Sequence, residues 1–419
     1  MTALRNRRFF VDTTPLRESR QYRLLYIGQL VSFLGRQLTV VAVPFQVFEM
    51  TDSSLAVGLV SLVQLGPLIV CSLVGGSIAD AVDRRKLLLL MQACLAVTSV
   101  GLAINAAGWL GGPAVWPLFV FTAAAAGLSG VDSPTRSAAI PSLVRREQLP
   151  AALALNQTLI QVGQVLGPAL AGLVIARVSL AAAYWLDAVT FVGAGVALLL
   201  MAPMVPEGGG TRAGLASIGE GVRYLKGRRA LQGTFLIDIN AMVFGMPRAL
   251  FPAMAERVFG GGAGVVGLLY AAPGAGALVG ALTTGWVSGV RRQGRAVLVA
   301  VAAWGAAIAL FGLVSWLPLA LFFLAVAGAS DVISAVFRNT ILQLSVPDRL
   351  RGRLSAIHIA VVTGGPRLGD AEAGAVAALA GTRVSVVSGG LVCMAGVAVL
   401  ARLLPELGRW TLDDDADHS

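Results

Sequence analysis

Several ionisable side chains in this sequence stand inside stretches that are otherwise apolar. Arg36, Asp238, Arg248, Arg367, Asp370 and Glu372 lie deepest, and Asp132 and Arg136 sit one helical turn apart near the inner end of another stretch. A charge at the centre of a membrane-spanning helix costs about 2.5 to 3.5 kcal/mol on insertion scales, so these groups are expected to line a cavity or to pair. The spacings of Asp132 with Arg136 and of Arg367 with Asp370 suit local ion pairs. Asn240, two residues beyond Asp238, adds an uncharged hydrogen-bonding group to the same stretch. Asp187 and Asp331 are placed near span ends, where a solvated carboxylate costs little, and His358 is expected to lie too close to the inner end of its span for a central relay.

Other chemistry has no visible machinery. The chain has two histidines and three cysteines, and Cys71, Cys94 and Cys393 all fall in apolar spans, where they read as small packing residues and not as a disulfide framework. There is no metal-ligand cluster and no Gly-x-Ser-x-Gly elbow. The only lysines, Lys86 and Lys226, do not follow a glycine as a phosphate-binding loop requires, which sets aside nucleotide hydrolysis. Gly274 to Gly280 lacks dinucleotide-loop spacing and reads as close helix packing. An enzyme is therefore not expected, and no cofactor or metal is implied.

The elements that must position these residues follow from charge patterning. Of 419 residues, 56% are apolar and 13% charged, and the mean hydropathy is +0.79, far outside the range of water-soluble domains. A spanning helix needs roughly 20 apolar residues, and uncharged runs cover 55–79, 87–131, 149–176, 260–290, 296–330 and 384–401. Two of these hold a helix pair each, with breakers at Gly108 to Pro113 and Trp316 to Pro318. Weaker spans at about 24–48, 180–201, 231–255 and 355–380 complete twelve. The first run is too long for a cleaved signal peptide and should remain as a helix.

All but six of the 32 Lys and Arg residues fall on one side of this alternation; the exceptions are Arg36, Arg177, Arg248, Arg257, Arg367 and Arg383. This bias predicts a multi-pass inner-membrane protein with both termini cytoplasmic, and it assigns the +10 net charge to lipid contact, not to nucleic acid. The expected organisation is a cytoplasmic tail (1–23), a six-helix bundle (24–202), a cytoplasmic linker (203–230), a second six-helix bundle (231–404) and an acidic tail (405–419). In the linker, Leu215, Ile218, Val222 and Leu225 recur at helical spacing, which predicts an amphipathic helix on the inner leaflet.

The two bundles read as repeats. Val57-Gly58-Leu59 matches Val266-Gly267-Leu268 and Gly76 matches Gly285 at one common offset, each followed by a basic loop; Arg136-Ser-Ala-Ala-Ile140 corresponds to Arg338-Asn-Thr-Ile341. Gly76-x-x-x-Asp80-x-x-Asp83-Arg84-Arg85-Lys86 resembles the major facilitator signature between the second and third helices, with Ala81 in place of its first Arg and Asp83 in place of its Gly. The resemblance implies a gate in which Gly76, Asp80, Arg84, Arg85, Arg136 and Arg338 take part. Gly163, Gly167, Pro168 and Gly172 resemble the helix-five signature of antiporters in that superfamily, with Ala171 replacing one Gly.

Over nearly the whole chain the sequence resembles the branch that contains the bacterial enterobactin exporter and related macrolide-efflux proteins, through Gln29-Leu-Val-Ser32, Val43-Pro44, Thr51-Asp-Ser53, Val266 to Ala272, Gly276 to Ala281, Leu342-Gln343 and Leu350-Arg-Gly-Arg353.

That resemblance implies an all-α membrane protein with twelve transmembrane helices in two pseudo-symmetric six-helix bundles, the major facilitator fold, acting as a monomer on a small-molecule substrate in contact with membrane lipid. The pathway is assigned to Arg36, Asp132, Asp238, Asn240, Arg248, Arg367 and Asp370. The segment Gly364 to Gly374, the least hydrophobic, is expected to be irregular and to face the cavity. The proton gradient is the expected driving force, with Asp238 the first-choice carboxylate, and Arg36, Arg248 and Arg367 tilt the substrate toward a siderophore-like or other acidic metabolite. A multidrug or macrolide exporter is the runner-up, ahead of a lipid mover; a passive channel or non-transporting scaffold is the reading of another class.

Overall fold

The computed structural model describes residues 12–109, 111–205 and 223–411, and over them the chain is helical with no strand. Twelve long segments follow one another: α1 (Arg20–Thr51), α2 (Ser54–Ala79), α3 (Arg84–Ala106), α4 (Trp116–Leu143), α5 (Leu149–Arg177), α6 (Leu180–Leu199), α7 in two pieces (Arg229–Phe244 and Phe251–Arg257), α8 (Ala263–Leu282), α9 (Gln293–Leu313), α10 (Leu317–Ser345), α11 (Asp348–Ala380) and α12 (Thr382–Leu403). Ten are long and apolar enough to cross a membrane. The other two, α4 and α11, hold the charges Asp132 and Arg136, and Arg367, Asp370 and Glu372. The fold is an all-α membrane architecture. The amphipathic stretch up to Val222, the basic Arg5, Arg7 and Arg8 and the acidic Asp413 to Asp417 lie outside the described residues.

Local sequence sets the turns. Asp52 ends α1 in the left-handed conformation (φ 47°), and Ser53 starts α2 by accepting the Ala56 N–H at 3.2 Å. Asp83, which stands where the resembled signature has Gly, caps α3 by accepting the Arg85 N–H at 2.9 Å and also accepts the Met204 N–H at 2.9 Å. Its backbone is ordinary (φ −58°); the turn needs a carboxylate acceptor there and no glycine.

Packing follows a pseudo-twofold plan. In the first half α1 packs on α5 and α6, α2 on α4, and α3 on α4 and α6; in the second α7 packs on α11 and α12, α8 on α10, and α9 on α10 and α12. The halves meet where α2 lies against α11 and α5 against α8, the same pair of contacts with the halves exchanged. Small residues make these contacts close. A Cβ on Gly58 would run into the Asp370 carbonyl, one on Gly374 into that of Ser54, and Gly172 and Gly267 face each other between α5 and α8. The contacts continue inward through Gly364 against Leu65 and Gly274 against Gln164; beyond them Gly76 and Gly285 face open space. The close glycine contacts between the halves are thus concentrated toward the α1–α2 end, and at the α2–α3 end Gly76 and Gly285 have no neighbour within reach of a Cβ. Arg257 latches the α1–α2 end by donating to the Asp52 carbonyl (3.0 Å) and carboxylate (2.5 Å) while stacking on Phe48.

The irregular backbone expected in α11 is found in α7 instead. Gly364 to Gly374 is unbroken helix within α11, Pro366 included, because its glycines serve as contact points: Gly365 and Gly369 admit Met242 and Val243 of α7. The break falls instead in α7, at Gly245-Met-Pro247, followed by a short 3-10 turn, Arg248–Leu250.

Gly328 on α10 touches the Pro273 backbone of α8, whereas Gly195 on α6 has open space around its Cβ position. Gly328→Leu is expected to lower thermal stability in detergent by about 1–3 kcal/mol or more through overpacking, and Gly195→Leu to leave it unchanged; equal melting curves for both variants would contradict this packing.

Candidate functional site

The central feature is a cavity of about 420 Å3 between the halves. The bend-prone middle of α1 supplies Arg36, Thr39, Val40, Val43 and Pro44; α2 supplies Val57, Val60, Ser61, Gln64 and Leu68; α4 supplies Thr122 to Ser133 at helical spacing. From the second half come Arg248 at the α7 break, Tyr270 on α8, and Thr363, Pro366, Arg367 and Asp370 on α11. The first half thus contributes an apolar patch of Val40, Val43, Val57, Val60 and Leu68 together with Arg36, and the second half contributes Arg248 and Arg367, so three guanidinium groups line the cavity. Among the lining residues Asp370 is the one carboxylate, and it is already engaged: its Oδ2 accepts from Ser61 Oγ at 2.8 Å and its Oδ1 from the Ala249 N–H at 2.9 Å. Those bonds tie α11 to α2 across the halves and to the α7 break. The expected pairing of Asp370 with Arg367 is replaced by these bonds; Arg367 donates to the Thr363 carbonyl at 2.6 Å, with its Nε buried and without a partner. Arg36 reaches Ser129 Oγ at 3.4 Å and lies over the Phe33 ring.

Asp238 is not among the lining residues. It is fully buried (0% exposed) inside the second half, where Arg338 of α10 approaches it at 2.5 Å. The reason is local: α7 turns this face toward α10 and α11, not toward the crevice. Arg338 also stands 3.7 Å from Asp331, and His358 of α11 lies 3.7 Å from Asp238. Two carboxylates therefore share one guanidinium, with an imidazole alongside. The sequence reading put Asp331 near a span end and His358 out of reach; Asp331 in fact falls mid-way along α10, and His358 belongs to the cluster. The match of Arg338 to Arg136 in the repeat was the available signal, since Arg136 has a nearby carboxylate. Asn240 faces away, donating to the Cys393 carbonyl at 2.9 Å.

In the first half Arg136 Nε donates to Asp132 Oδ2 at 2.8 Å, the local pair its spacing suggests, and Gln92 Nε2 donates to Asp132 Oδ1 at 2.9 Å. Asp187 is buried (1% exposed) and accepts from Thr39 and Ser99 at 2.6 and 2.8 Å; the solvated position expected for it is wrong because α6 packs that face against α1 and α3.

The basic loop holds the first half together. Arg84 donates to the Ala79 and Ala138 carbonyls and pairs with Asp80 at 3.4 Å, while Arg85 donates to Leu198 and Leu199 at the end of α6. Gly76 stands at the α2–α3 end. Of the helix-five residues, Gly163 and Gly167 admit Phe33 and Gln37 of α1; the Pro168 carbonyl and Gly172 meet Gly267 of α8 in the other half.

With this geometry in hand, comparison with known proteins is informative. Residues 12–416 match the family model of transmembrane secretion effectors. The chain is 29% identical over 403 residues to the enterobactin exporter EntS of Shigella boydii serotype 18, and 28% identical over 403 residues to that of Escherichia coli O81, with 96% of this chain and 96% of each relative covered. Among solved structures it is similar to a bacterial homologue of the human lysosomal transporter Spinster in an inward-facing, unoccupied conformation (TM-score 0.74, 14% identity, 94% of this chain and 100% of that chain). It is also similar to the peptide transporter POT (TM-score 0.75, 11% identity, 94% and 96% covered). At these identities the structures speak for the fold.

Removing one partner of a buried ion pair leaves an uncompensated charge and costs about 3–5 kcal/mol, whereas replacing both with apolar groups is often near neutral. Arg338→Met alone is expected to destabilise the protein strongly, and the Asp238→Leu/Arg338→Met double variant to recover most of the loss in thermal unfolding; additive losses would show that the two groups are not a pair.

Proposed function

The chain belongs to the family of transmembrane secretion effectors, and we propose that this multi-pass membrane transporter is a secondary active exporter that carries a siderophore-like or other acidic small molecule out of the cell in exchange for protons. The observation that carries the reading is the cavity wall: Arg36, Arg248 and Arg367 converge from three helices, and its one carboxylate is committed to other bonds. Guanidinium groups offer planar, charge-assisted donors that match carboxylate or catecholate oxygens. The patch of Val40, Val43, Val57, Val60 and Leu68 beside Arg36 suits an aromatic or aliphatic body. The names of the EntS relatives agree with such a cargo.

Orientation follows from the basic residues. Arg84, Arg85, Lys86, Arg145 and Arg146 stand at the α2–α3 end, and the positive-inside rule assigns that end to the cytoplasm, with both termini. The described state is then open inward, with the Arg257 and Asp52 latch closed on the outer side. Exchange of the open end by rocking of the halves about the fixed cavity gives alternating access by a monomer.

The proton step is assigned to the buried cluster. Asp238 and Asp331 together carry one more negative charge than Arg338 balances, so uptake of one proton makes the trio neutral. Asp331 and Arg248 both line a small chamber of about 60 Å3 in the second half, and Arg248 lines the central cavity as well. Substrate and proton thus meet near Arg248. The apolar patch alone favours a second reading, a macrolide or multidrug exporter; against it stand the three guanidinium groups, which would repel a cationic drug.

The test is counterflow in proteoliposomes with a catecholate siderophore, a macrolide and a cationic dye, with and without a proton gradient. Gradient-dependent movement of the catecholate is expected, reduced at least tenfold in Arg367→Gln. Asp238→Asn is expected to abolish the response to the gradient; full gradient-driven transport by that variant would refute the proton assignment, and movement of the dye or macrolide alone would refute the acidic cargo.

A further inference from the structure

A second polar chamber, of about 100 Å3, lies inside the first half and shares Arg36 and Ser133 with the central cavity. Its deepest charged group is Arg136, 5% exposed, whose Nε is held by Asp132. Both of its outer nitrogens, Nη1 and Nη2, are buried and have no hydrogen-bond partner. Four N–H donors are therefore fixed in position with nothing to accept them, and such groups are rare in folded proteins unless something binds there. The fixing is strong: Asp132 is held in turn by Gln92, so the guanidinium cannot swing away without breaking a buried network.

We propose that this chamber is a binding site for a small oxyanion, a carboxylate, catecholate or phosphate group, seated on the free edge of Arg136 with Arg36 at its other side. The charge count supports an anion over water. Arg36 and Arg136 bring two positive charges to the lining and Asp132 one negative. The nearest further carboxylate, Asp187 on α6, does not line the chamber and is engaged by Thr39 and Ser99. Donors also exceed acceptors. Among the lining side chains the buried acceptor without a partner is Gln92 Oε1, and Gln29 Nε2 donates to Asn156 Oδ1 at 2.8 Å. The volume admits roughly three waters at about 30 Å3 each, or one oxyanion head in their place. Ser133 and Ser137, both exposed on α4, form the mouth.

The site rests on geometry independent of the cargo, but it deepens the exporter reading: its occupant is either the acid end of the substrate on its way to the central cavity or a free inorganic anion. The experiment is isothermal titration of the full-length protein in nanodiscs with inorganic phosphate and, separately, with the catecholate siderophore, on the parent and three variants. Ser137→Phe plugs the mouth from an exposed position; Arg136→Lys keeps the charge but removes the flat two-nitrogen edge; Arg367→Gln alters the central cavity only.

At least one probe is expected to bind saturably and at least tenfold more weakly in Ser137→Phe and in Arg136→Lys, and phosphate, which is not proposed as a ligand of the central cavity, to bind within threefold of the parent in Arg367→Gln. Binding of both probes would point to a general oxyanion seat, and binding of the siderophore alone to a substrate subsite. Absence of saturable binding of either probe, or binding that Arg367→Gln abolishes and Ser137→Phe spares, would overturn the site. Phosphate binding with this pattern, combined with no catecholate transport in proteoliposomes, would leave the site standing and remove the proposed cargo.

Discussion

A charge inside a bundle of apolar helices has to find its counter-charge within the protein, and the rest of this structure is arranged around that demand. Each half places one buried arginine at matching points of the repeat, Arg136 on α4 and Arg338 on α10, and each arginine meets a carboxylate. Desolvating either partner alone would cost several kcal/mol, so the helices bearing them must pack in one register. Among the described residues Arg36, Arg248 and Arg367 have no such carboxylate in contact, and they line the central cavity. Pairing inside each half, and its absence at the central cavity, is what separates scaffold from cavity wall.

The two halves solve the problem differently, and the difference has mechanical consequences. Asp132 and Arg136 lie one turn apart on the same helix, so their separation hardly changes when helices shift. Asp238, Arg338 and His358 sit on α7, α10 and α11, so any movement among those helices changes their distances. α7 is also the helix interrupted at Gly245 to Pro247, and its break is where Ala249 donates to Asp370 and where Arg248 enters the cavity. A change of charge in the cluster therefore has a direct mechanical route to the cavity, along one short helix piece.

Much of this was legible in the sequence, and the exceptions have physical causes. Runs without charge located the spans, since a spanning helix admits few charges, and Gly108 to Pro113 fell where α3 ends and α4 begins. The Asp132–Arg136 pair was legible from helical spacing, but the same kind of spacing misled for Arg367 and Asp370, because Ser61 and the Ala249 N–H, both distant in sequence, take the Asp370 carboxylate. The partner of Asp238 was not, because Arg338 is distant in sequence and only packing brings it near; the repeat gave a hint through Arg136. Glycine and proline misled in α11 and went unnoticed in α7. Gly364-Gly-Pro366 and Gly245-Met-Pro247 have similar composition, yet the first lets α7 approach closely and the second ends a helix. Composition does not distinguish a glycine that breaks a helix from one that lets a neighbour in.

The same ambiguity bears on how the halves can rock. Where α2 meets α11 and α5 meets α8, the contacts are backbone against backbone at Gly58, Gly374, Gly172 and Gly267. Side chains with no bulk leave no interlocking knobs, so such surfaces can pivot without unpacking. Specificity for the arrangement with this end shut then falls to polar contacts, Arg257 with Asp52 at the α1–α2 end and Asp370 with Ser61 nearer the cavity. The first is exposed and weak by itself. The second is buried and touches the cavity, so it is the contact an occupant of the cavity would feel: under the proposed acidic cargo, an anion drawing Arg367 and Arg248 toward itself would change the field around Asp370, and with it the bond that holds α2 to α11.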